Sequence, residues 1–166
     1  LEGTALEDKS ISLLTQLPEL RVLNLSRTLI SDRGLAALKD LPNLHTLLVH
    51  HTGITSKGLR SLTKLPSLRA LDVSATLIMP SKEVLFPKFP ELRHLRMAHV
   101  DLDARHIETL GTLKSLRTLD LEGTPLSSAD ARIFQKLPRL QSLNLADTEL
   151  QDDGLAHLAS LRNLRA

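Results

Sequence analysis

Five of the chain's seven histidines lie in two short stretches with the alternating pattern of a β-strand. Residues 44–52 read LHTLLVHHT, and residues 92–100 read LRHLRMAHV. Imidazole groups bind transition metals, act as general bases, and change charge near pH 6.5. The two stretches therefore raise three hypotheses, which are a metal site, a catalytic base and a contact surface for a partner.

The spacing of these histidines does not favour a metal site. His45 and His50 are five residues apart, as are His94 and His99, so an extended backbone separates each pair by roughly 16 Å. His51 and His99 should lie two strands apart, at about 10 Å. Metal ligands must converge within about 2.1 Å of one ion. The chain also has no Cys, which excludes thiolate-bound zinc, disulfide bonds and thiolate catalysis. We therefore expect no metal site and no cofactor.

Ser74, His50 and Asp72 supply the three residue types of a hydrolase triad. His50 and Ser74 should be neighbours on adjacent strands, and Asp72 lies two residues before Ser74. The sequence contains no G-x-S-x-G turn, no helix N-terminus aimed at an oxyanion, and no evident pocket that would exclude water. We expect a non-enzymatic protein and keep a hydrolase using Ser74 and His50 as an alternative.

Nucleic acid and membrane insertion are not favoured as modes of binding. The formal net charge of +2 is too small to imply a polyanionic partner, and no apolar run approaches the roughly 18 residues that span a bilayer. Single-strand binders stack bases on exposed aromatic rings, whereas Phe86, Phe89 and Phe134 all occupy positions predicted to be core. The absence of Cys does not fix the compartment. A protein partner is the class that remains.

The chain repeats with a period of 24 residues and no insertion. Each repeat opens L-x-x-L-x-L, with Val or Met at the last place in some repeats. The opening leucines are Leu20, Leu44, Leu68, Leu92, Leu116, Leu140 and Leu164. We interpret residues 1–166 as one domain with a partial repeat at 1–19, six full repeats at 20–163 and a partial repeat at 164–166. We expect the chain to be part of a longer protein.

The repeat predicts one strand and one short helix per unit. Leu23 and Leu25 flank Asn24, which is the period-two pattern of a strand with one buried face. Apolar residues then recur at three-residue spacing, which fits a short α or 3₁₀ helix, and Ser31 or Asp32 is placed to cap its first turn. One unit cannot bury its apolar side alone, so the units must stack. The narrow strands should form the concave side of a curved α/β solenoid.

These patterns resemble those of leucine-rich repeat proteins, and the resemblance covers the whole chain. The repeats are similar to the 24-residue bacterial type with Thr in the ninth place and an I-[ST]-D-x-G-L turn, which appears at residues 30–35 and in weaker form at 54–59. The resemblance implies a horseshoe with a parallel β-sheet on its concave face and short α or 3₁₀ helices on its convex face. It also implies a module that binds a protein partner through the concave sheet. The alternative is the substrate-recognition part of a larger enzyme, such as a ubiquitin-ligase subunit or an effector.

Two features vary between the repeats. Thr occupies the ninth place of every repeat except the one with Val100, and a hydroxyl there can satisfy backbone groups where the chain leaves the sheet. Residues 78–91, IMPSKEVLFPKFPE, replace the usual turn and contain three prolines. Because Pro87 would end a helix early, we expect the third convex turn to be irregular.

The residues between the leucines should form the partner-binding surface. Counting from the first Leu of each repeat, positions three, five and seven lie on the concave face, and positions two and eight lie at its edges. Arg dominates position two, Leu48 takes an outward place where polar residues are usual, and the fifth and sixth repeats turn acidic. The predicted contact surface comprises Leu48, His50, Arg69, Asp72, Arg93, His94 and Arg96. Its rival is the acidic half with Asp120, Glu122 and Asp147.

Two further expectations concern conditions of binding and self-association. Because unperturbed His titrates near pH 6.5, binding of an acidic partner should strengthen as the pH falls through that value. Repeat arrays need polar terminal repeats to cover their core, and neither end of this sequence carries such a cap. We therefore expect either that the repeats continue on at least one side in a longer protein or that the chain associates end to end through its uncapped ends.

Overall fold

Six strands of three residues each pair in parallel, in chain order, in a single sheet. The computed structural model describes residues 1–80, 86 and 89–165. Within these residues the strands are β1 (Val22–Asn24), β2 (Thr46–Leu48), β3 (Ala70–Asp72), β4 (His94–Arg96), β5 (Thr118–Asp120) and β6 (Ser142–Asn144). Each residue pairs with the residue 24 places later, as Leu23 does with Leu47. The predicted horseshoe with a parallel concave sheet is confirmed.

Short helices occupy the other side of the stack. The α-helices are α1 (Asp8–Leu14), α2 (Asp32–Ala37), α3 (Ser56–Ser61), α4 (Ala104–Leu110) and α5 (Asp152–Leu158). Single 3₁₀ turns follow two of them, at Leu38–Asp40 and Leu62–Lys64, and a longer 3₁₀ helix runs over Asp130–Lys136. The side chain of Ser31 accepts a hydrogen bond from the backbone N–H of Arg33 and so caps α2, as predicted. No helix in the described part of the chain is long and apolar enough to cross a membrane.

Asp32 does not cap its own helix but joins it to the next repeat. Its carboxylate accepts hydrogen bonds from the backbone N–H of Thr55 at 2.8 Å and from the Thr55 hydroxyl at 2.7 Å. A Cβ on Gly58 would collide with the same carboxylate. The D-x-G pattern is therefore a contact between neighbouring repeats, in which glycine leaves room for the aspartate of the preceding turn.

Asp8 makes the same contact one repeat earlier. Its two carboxylate oxygens accept hydrogen bonds from the N–H and the hydroxyl of Ser31, at 2.7 and 2.6 Å. Partial burial raises the pKa of Asp8, but the hydrogen bonds from Ser31 and from the backbone of Gly34 outweigh it, so the pKa lies below its ordinary value. The charged carboxylate is thus the form that binds the next turn.

The leucine positions form one core that runs through all the repeats. Leu25, Leu47, Leu95 and Leu119 are all buried, and the buried residues make a single cluster. Phe86, Phe89 and Phe134 are buried in it, as predicted. The predicted irregularity around Pro87 cannot be compared with the structure, because residues 81–85 and 87–88 lie outside the described residues.

The threonine column satisfies backbone carbonyls at the end of each strand, as predicted. The hydroxyls of Thr28, Thr52 and Thr76 each donate to the carbonyl three residues earlier, at 2.6 Å. Val100 has no hydroxyl to donate to the Met97 carbonyl. Thr124, one repeat later, donates to that carbonyl instead, at 3.0 Å. The neighbouring repeat therefore compensates for the missing threonine.

This exchange predicts a measurable coupling between positions 100 and 124. Thr124→Val should destabilise the protein by about 1–3 kcal/mol, because it leaves the buried carbonyl of Met97 without its donor. Val100→Thr in that background should recover about half of the loss or more, since it restores the donor used in the other repeats. Urea unfolding midpoints of the four proteins in the cycle measure the effect.

Thr4→Val is the matched control, because the hydroxyl of Thr4 donates to the Leu1 carbonyl at an exposed site. It should change stability by only about a few tenths of a kcal/mol. Additive effects of the changes at positions 100 and 124 would contradict the proposed exchange.

Candidate functional site

The predicted contact residues share one region of the sheet but differ in exposure. Arg69, His94 and Arg96 are exposed, and His50 and Arg93 are half-buried. Two expectations need correction. Leu48, expected in an outward place, is half-buried, and Asp72, expected in the contact surface, is buried with only 4% of its surface accessible. The Arg96 guanidinium of the next repeat lies 3.6 Å from the Asp72 carboxylate and is one group that covers it.

Arg96 links the centre of the sheet to the acidic repeats. Its guanidinium lies 3.6 Å from the Asp72 carboxylate and donates from Nε to Asp120 at 3.2 Å. Asp72 also accepts a hydrogen bond from the backbone N–H of Ser74. The basic and acidic halves separated in the sequence are therefore joined by ion pairs. Because the Arg96 side chain is 62% exposed, these pairs contribute more to its position than to stability.

Position eight of the repeats has left-handed backbone conformation. The φ angle is +54° at His51, +50° at Ala75 and +55° at His99. This conformation turns His51 onto the same side as His50, where a straight strand would place the two side chains on opposite faces. The Nδ1 atoms of the two rings lie 3.0 Å apart. Sequence reasoning missed this pair, although glycine at Gly3 and Gly123 in the same column was a signal for positive φ.

A shallow cavity of about 260 Å³ lies at the point where these side chains converge. It is lined by His50, His51, Asp72, Ser74, Ala75, Arg96, Ala98, His99 and Glu122. His99 lies against Gly123, where an added Cβ would collide with the imidazole, and its Nε2 is 4.0 Å from Glu122. Four of these residues, His50, Asp72, Ser74 and Arg96, were predicted as contact or triad residues. His51, His99 and Glu122 also line the cavity but were not in the predicted contact surface.

The three residues of the hypothetical triad have other partners. The Ser74 oxygen accepts a hydrogen bond from the backbone N–H of Ala98 at 3.1 Å, and Asp72 binds the Ser74 backbone and Arg96. His50 contacts His51, and its Nε2 lies 3.8 Å from Glu2. These contacts fix the three side chains, but none of them places the His50 imidazole against the Ser74 hydroxyl as a general base. Within the described residues, no group of three or more His, Asp or Glu side chains could hold a metal ion.

His94 lies in a positively charged environment. One of its ring nitrogens is 2.9 Å from the Thr118 hydroxyl. Burial lowers the pKa of His94, and the charges of Arg117 and Arg93 lower it further. His94 therefore stays neutral at pH values where an ordinary His is charged. His94 should therefore gain positive charge at a lower pH than an ordinary His as the solution is acidified.

The comparisons with known proteins agree with this geometry. The family model described as "Leucine rich repeat" matches residues 18–78, 90–150 and 114–166. No curated protein matches the chain significantly. Among solved structures, internalin C2 from Listeria monocytogenes superposes with a TM-score of 0.74 at 22% identity, over 98% of this chain and 76% of its own.

Two further structures have the same fold. An internalin (inlF) from Listeria monocytogenes has a TM-score of 0.63 and 19% identity over 93% of this chain. The Arabidopsis receptor kinase HAESA, in complex with the peptide hormone IDA and the co-receptor SERK1, has a TM-score of 0.63 and 24% identity over 90% of this chain. The chain spans only 49% and 26% of these two proteins, respectively. At these identities the likeness shows the fold.

The lowered pKa of His94 predicts how stability changes with pH. Above the ordinary value near 6.5, His94 is neutral in both the folded and unfolded chain. Below that value the unfolded chain binds a proton first, so the stability contribution is lost as the pH falls through the lower folded-state pKa. Wild type should therefore lose more stability than His94→Asn between about pH 7.5 and 5.5 in urea titrations.

Arg117→Gln is the matched variant, because it removes one cause of the shift and keeps the imidazole. It should reduce the extra loss seen in wild type. A stability difference between wild type and His94→Asn that does not change with pH would contradict the assignment.

Proposed function

The chain belongs to the leucine-rich repeat family, and from that premise we propose that it is a non-enzymatic module that binds a protein partner through its concave sheet. The observation that carries this proposal is the cavity at His50, His51, Arg96 and His99, which lies open on the accessible face of the sheet. Its polar side chains are held by ion pairs and backbone contacts rather than by a catalytic relay.

Each repeat has leucine positions that form the core and other positions that face the surface, and this difference supports binding on the concave face. Most leucine positions are buried and nearly identical from repeat to repeat, so they maintain the core. Positions three, five, seven and eight vary from repeat to repeat and carry most of the imidazole and acidic groups of the face. A surface that varies on an invariant frame can match the irregular outline of another protein. HAESA, which has the same fold, was solved with a peptide hormone and a co-receptor, and this supports a protein as the class of partner.

The proposed contact surface keeps the predicted residues, with roles suited to their exposure. Arg69 and His94 are exposed and offer direct polar contacts, while half-buried Leu48 offers apolar area near the centre. Arg96 is exposed and held in position by Asp72, which therefore acts through it. His50 and Arg93 contribute from half-buried positions.

The alternative is that the module recognises substrates for a larger enzyme. The matching family model describes repeats, and HAESA, of which this chain spans 26%, is named a receptor kinase, which supports repeats as one part of a larger enzyme. In that case the same concave surface would bind the substrate, and the enzyme activity would reside outside these residues.

A photo-crosslinker at Leu48 tests the surface and provides a partner for measurement. The captured protein, once identified by mass spectrometry and purified, is titrated against wild type and against Leu48→Asp with Arg96→Gln. We expect this pair to weaken binding by about tenfold or more, because it places a charge in the apolar centre and removes the exposed guanidinium.

The matched control is Leu155→Asp with Arg132→Gln, which makes the same changes at exposed convex residues. It should leave the affinity unchanged. Weaker binding by the convex pair alone would contradict the choice of surface. Glu122→Gln with Asp147→Asn tests the acidic rival, and loss of binding only in that pair would favour the rival.

A further inference from the structure

His50 and His51 place two imidazole nitrogens beside each other at the edge of the cavity. Their Nδ1 atoms are 3.0 Å apart, and the two rings are inclined at 82°. A hydrogen bond accounts for this distance only if one Nδ1 carries a proton and the other does not. The same distance also suits two ligands of one ion, so the pair needs a closer examination of its geometry.

The backbone holds both histidines in position before any ligand arrives. The carbonyl of His50 accepts from the N–H of Arg27 at 2.9 Å, and the N–H of His51 donates to the carbonyl of Ser74 at 3.0 Å. The preceding and following repeats therefore fix the two residues from both sides. The left-handed φ of +54° at His51 then brings its ring toward that of His50. A preformed pair of this kind loses little conformational freedom when it binds a ligand.

The distance between the nitrogens fits a divalent transition metal. An ion bound at about 2.0–2.1 Å from both Nδ1 atoms would subtend an angle of about 95° between them. That angle is closer to the right angles of tetragonal Ni²⁺ and Cu²⁺ sites than to the tetrahedral angle of zinc. We propose that His50 and His51 form a two-nitrogen chelate for a divalent transition-metal ion of the Ni²⁺ and Cu²⁺ class.

The surroundings of the pair suit such an ion. Coordination through Nδ1 places the proton of each ring on Nε2, and the Nε2 of His50 faces the Glu2 carboxylate at 3.8 Å. A carboxylate near the far nitrogen is the usual arrangement for a metal-binding His, because it stabilises that tautomer. Asp72 and Glu122 line the same cavity, and Arg96, which pairs with Asp72, offsets part of their negative charge.

The ion would keep open coordination positions. Among the described residues no third donor completes a protein site, so water or a donor from another molecule would occupy the remaining positions, on the side of the cavity. The pair thus gives the concave face a metal-dependent property beyond the binding of a protein partner, and metal binding itself requires no partner.

Calorimetric titration of the untagged chain with NiCl₂ at about pH 7.5, where neutral imidazoles predominate, tests the chelate. We expect one Ni²⁺ per chain, with His50→Asn and His51→Asn each weakening binding by about tenfold or more, because each variant reduces two linked ligands to one. Asn tolerates the left-handed conformation, so His51→Asn should stay folded. His45→Asn and His157→Asn are matched controls and should stay within about twofold of wild type.

NMR gives a second readout that does not depend on affinity. In long-range proton–nitrogen spectra with Zn²⁺ as a diamagnetic probe, the Nδ1 signals of His50 and His51 should shift together, while their Nε2 nitrogens stay protonated. Equal effects at all seven histidines, or an affinity unchanged by His50→Asn, would overturn the chelate. That outcome would leave the pair as a hydrogen-bonded contact only, without bearing on whether the concave face binds a protein.

Discussion

The lateral pairing of backbone groups between residues 24 positions apart is the constraint on which the rest of the structure depends. The carbonyl of Arg21 accepts from the N–H groups of both His45 and Thr46, and the same pattern recurs at Arg93 with Arg117 and Thr118. A strand of three residues has no stability alone, so its polar backbone groups are satisfied by the strands on either side. A shift of this pairing by one residue would move the leucines out of the shared core.

Several polar side chains outside the core also form hydrogen bonds with the neighbouring repeat. Asp8 and Asp32 each bind the first turn of the next helix, and the glycines of those helices leave room for the carboxylates. Where Val100 interrupts the threonine column, the hydroxyl of Thr124 crosses from the next repeat to the open carbonyl. Repeats of this kind tolerate local sequence changes because a donor one repeat away can reach the same acceptor.

The frame leaves the concave face free to carry chemistry. Ion pairs through Arg96 connect the third, fourth and fifth repeats, and the histidines converge on one cavity at the edge of the sheet. These polar side chains are not part of the hydrophobic cluster, so their types can vary to suit a binding partner. The arginines at position two also affect a neighbouring group. Partial burial lowers the pKa of the His94 imidazole, and the charges of Arg117 and Arg93 lower it further.

The sequence by itself determined the architecture, because the period, the inward leucines and the threonine hydroxyls act through local geometry repeated at a constant interval. It also predicted a contact surface that includes His50, His94 and Arg96, and the proposed function rests on that prediction. Only the tertiary structure decided that Asp72 is buried, that Leu48 is half-covered and that His50 faces His51. The burial of Asp72 depends on a contact with the next repeat, and the contact between His50 and His51 depends on the left-handed backbone at His51. Such a conformation is stabilised by the surrounding stack, and the local sequence alone does not specify it.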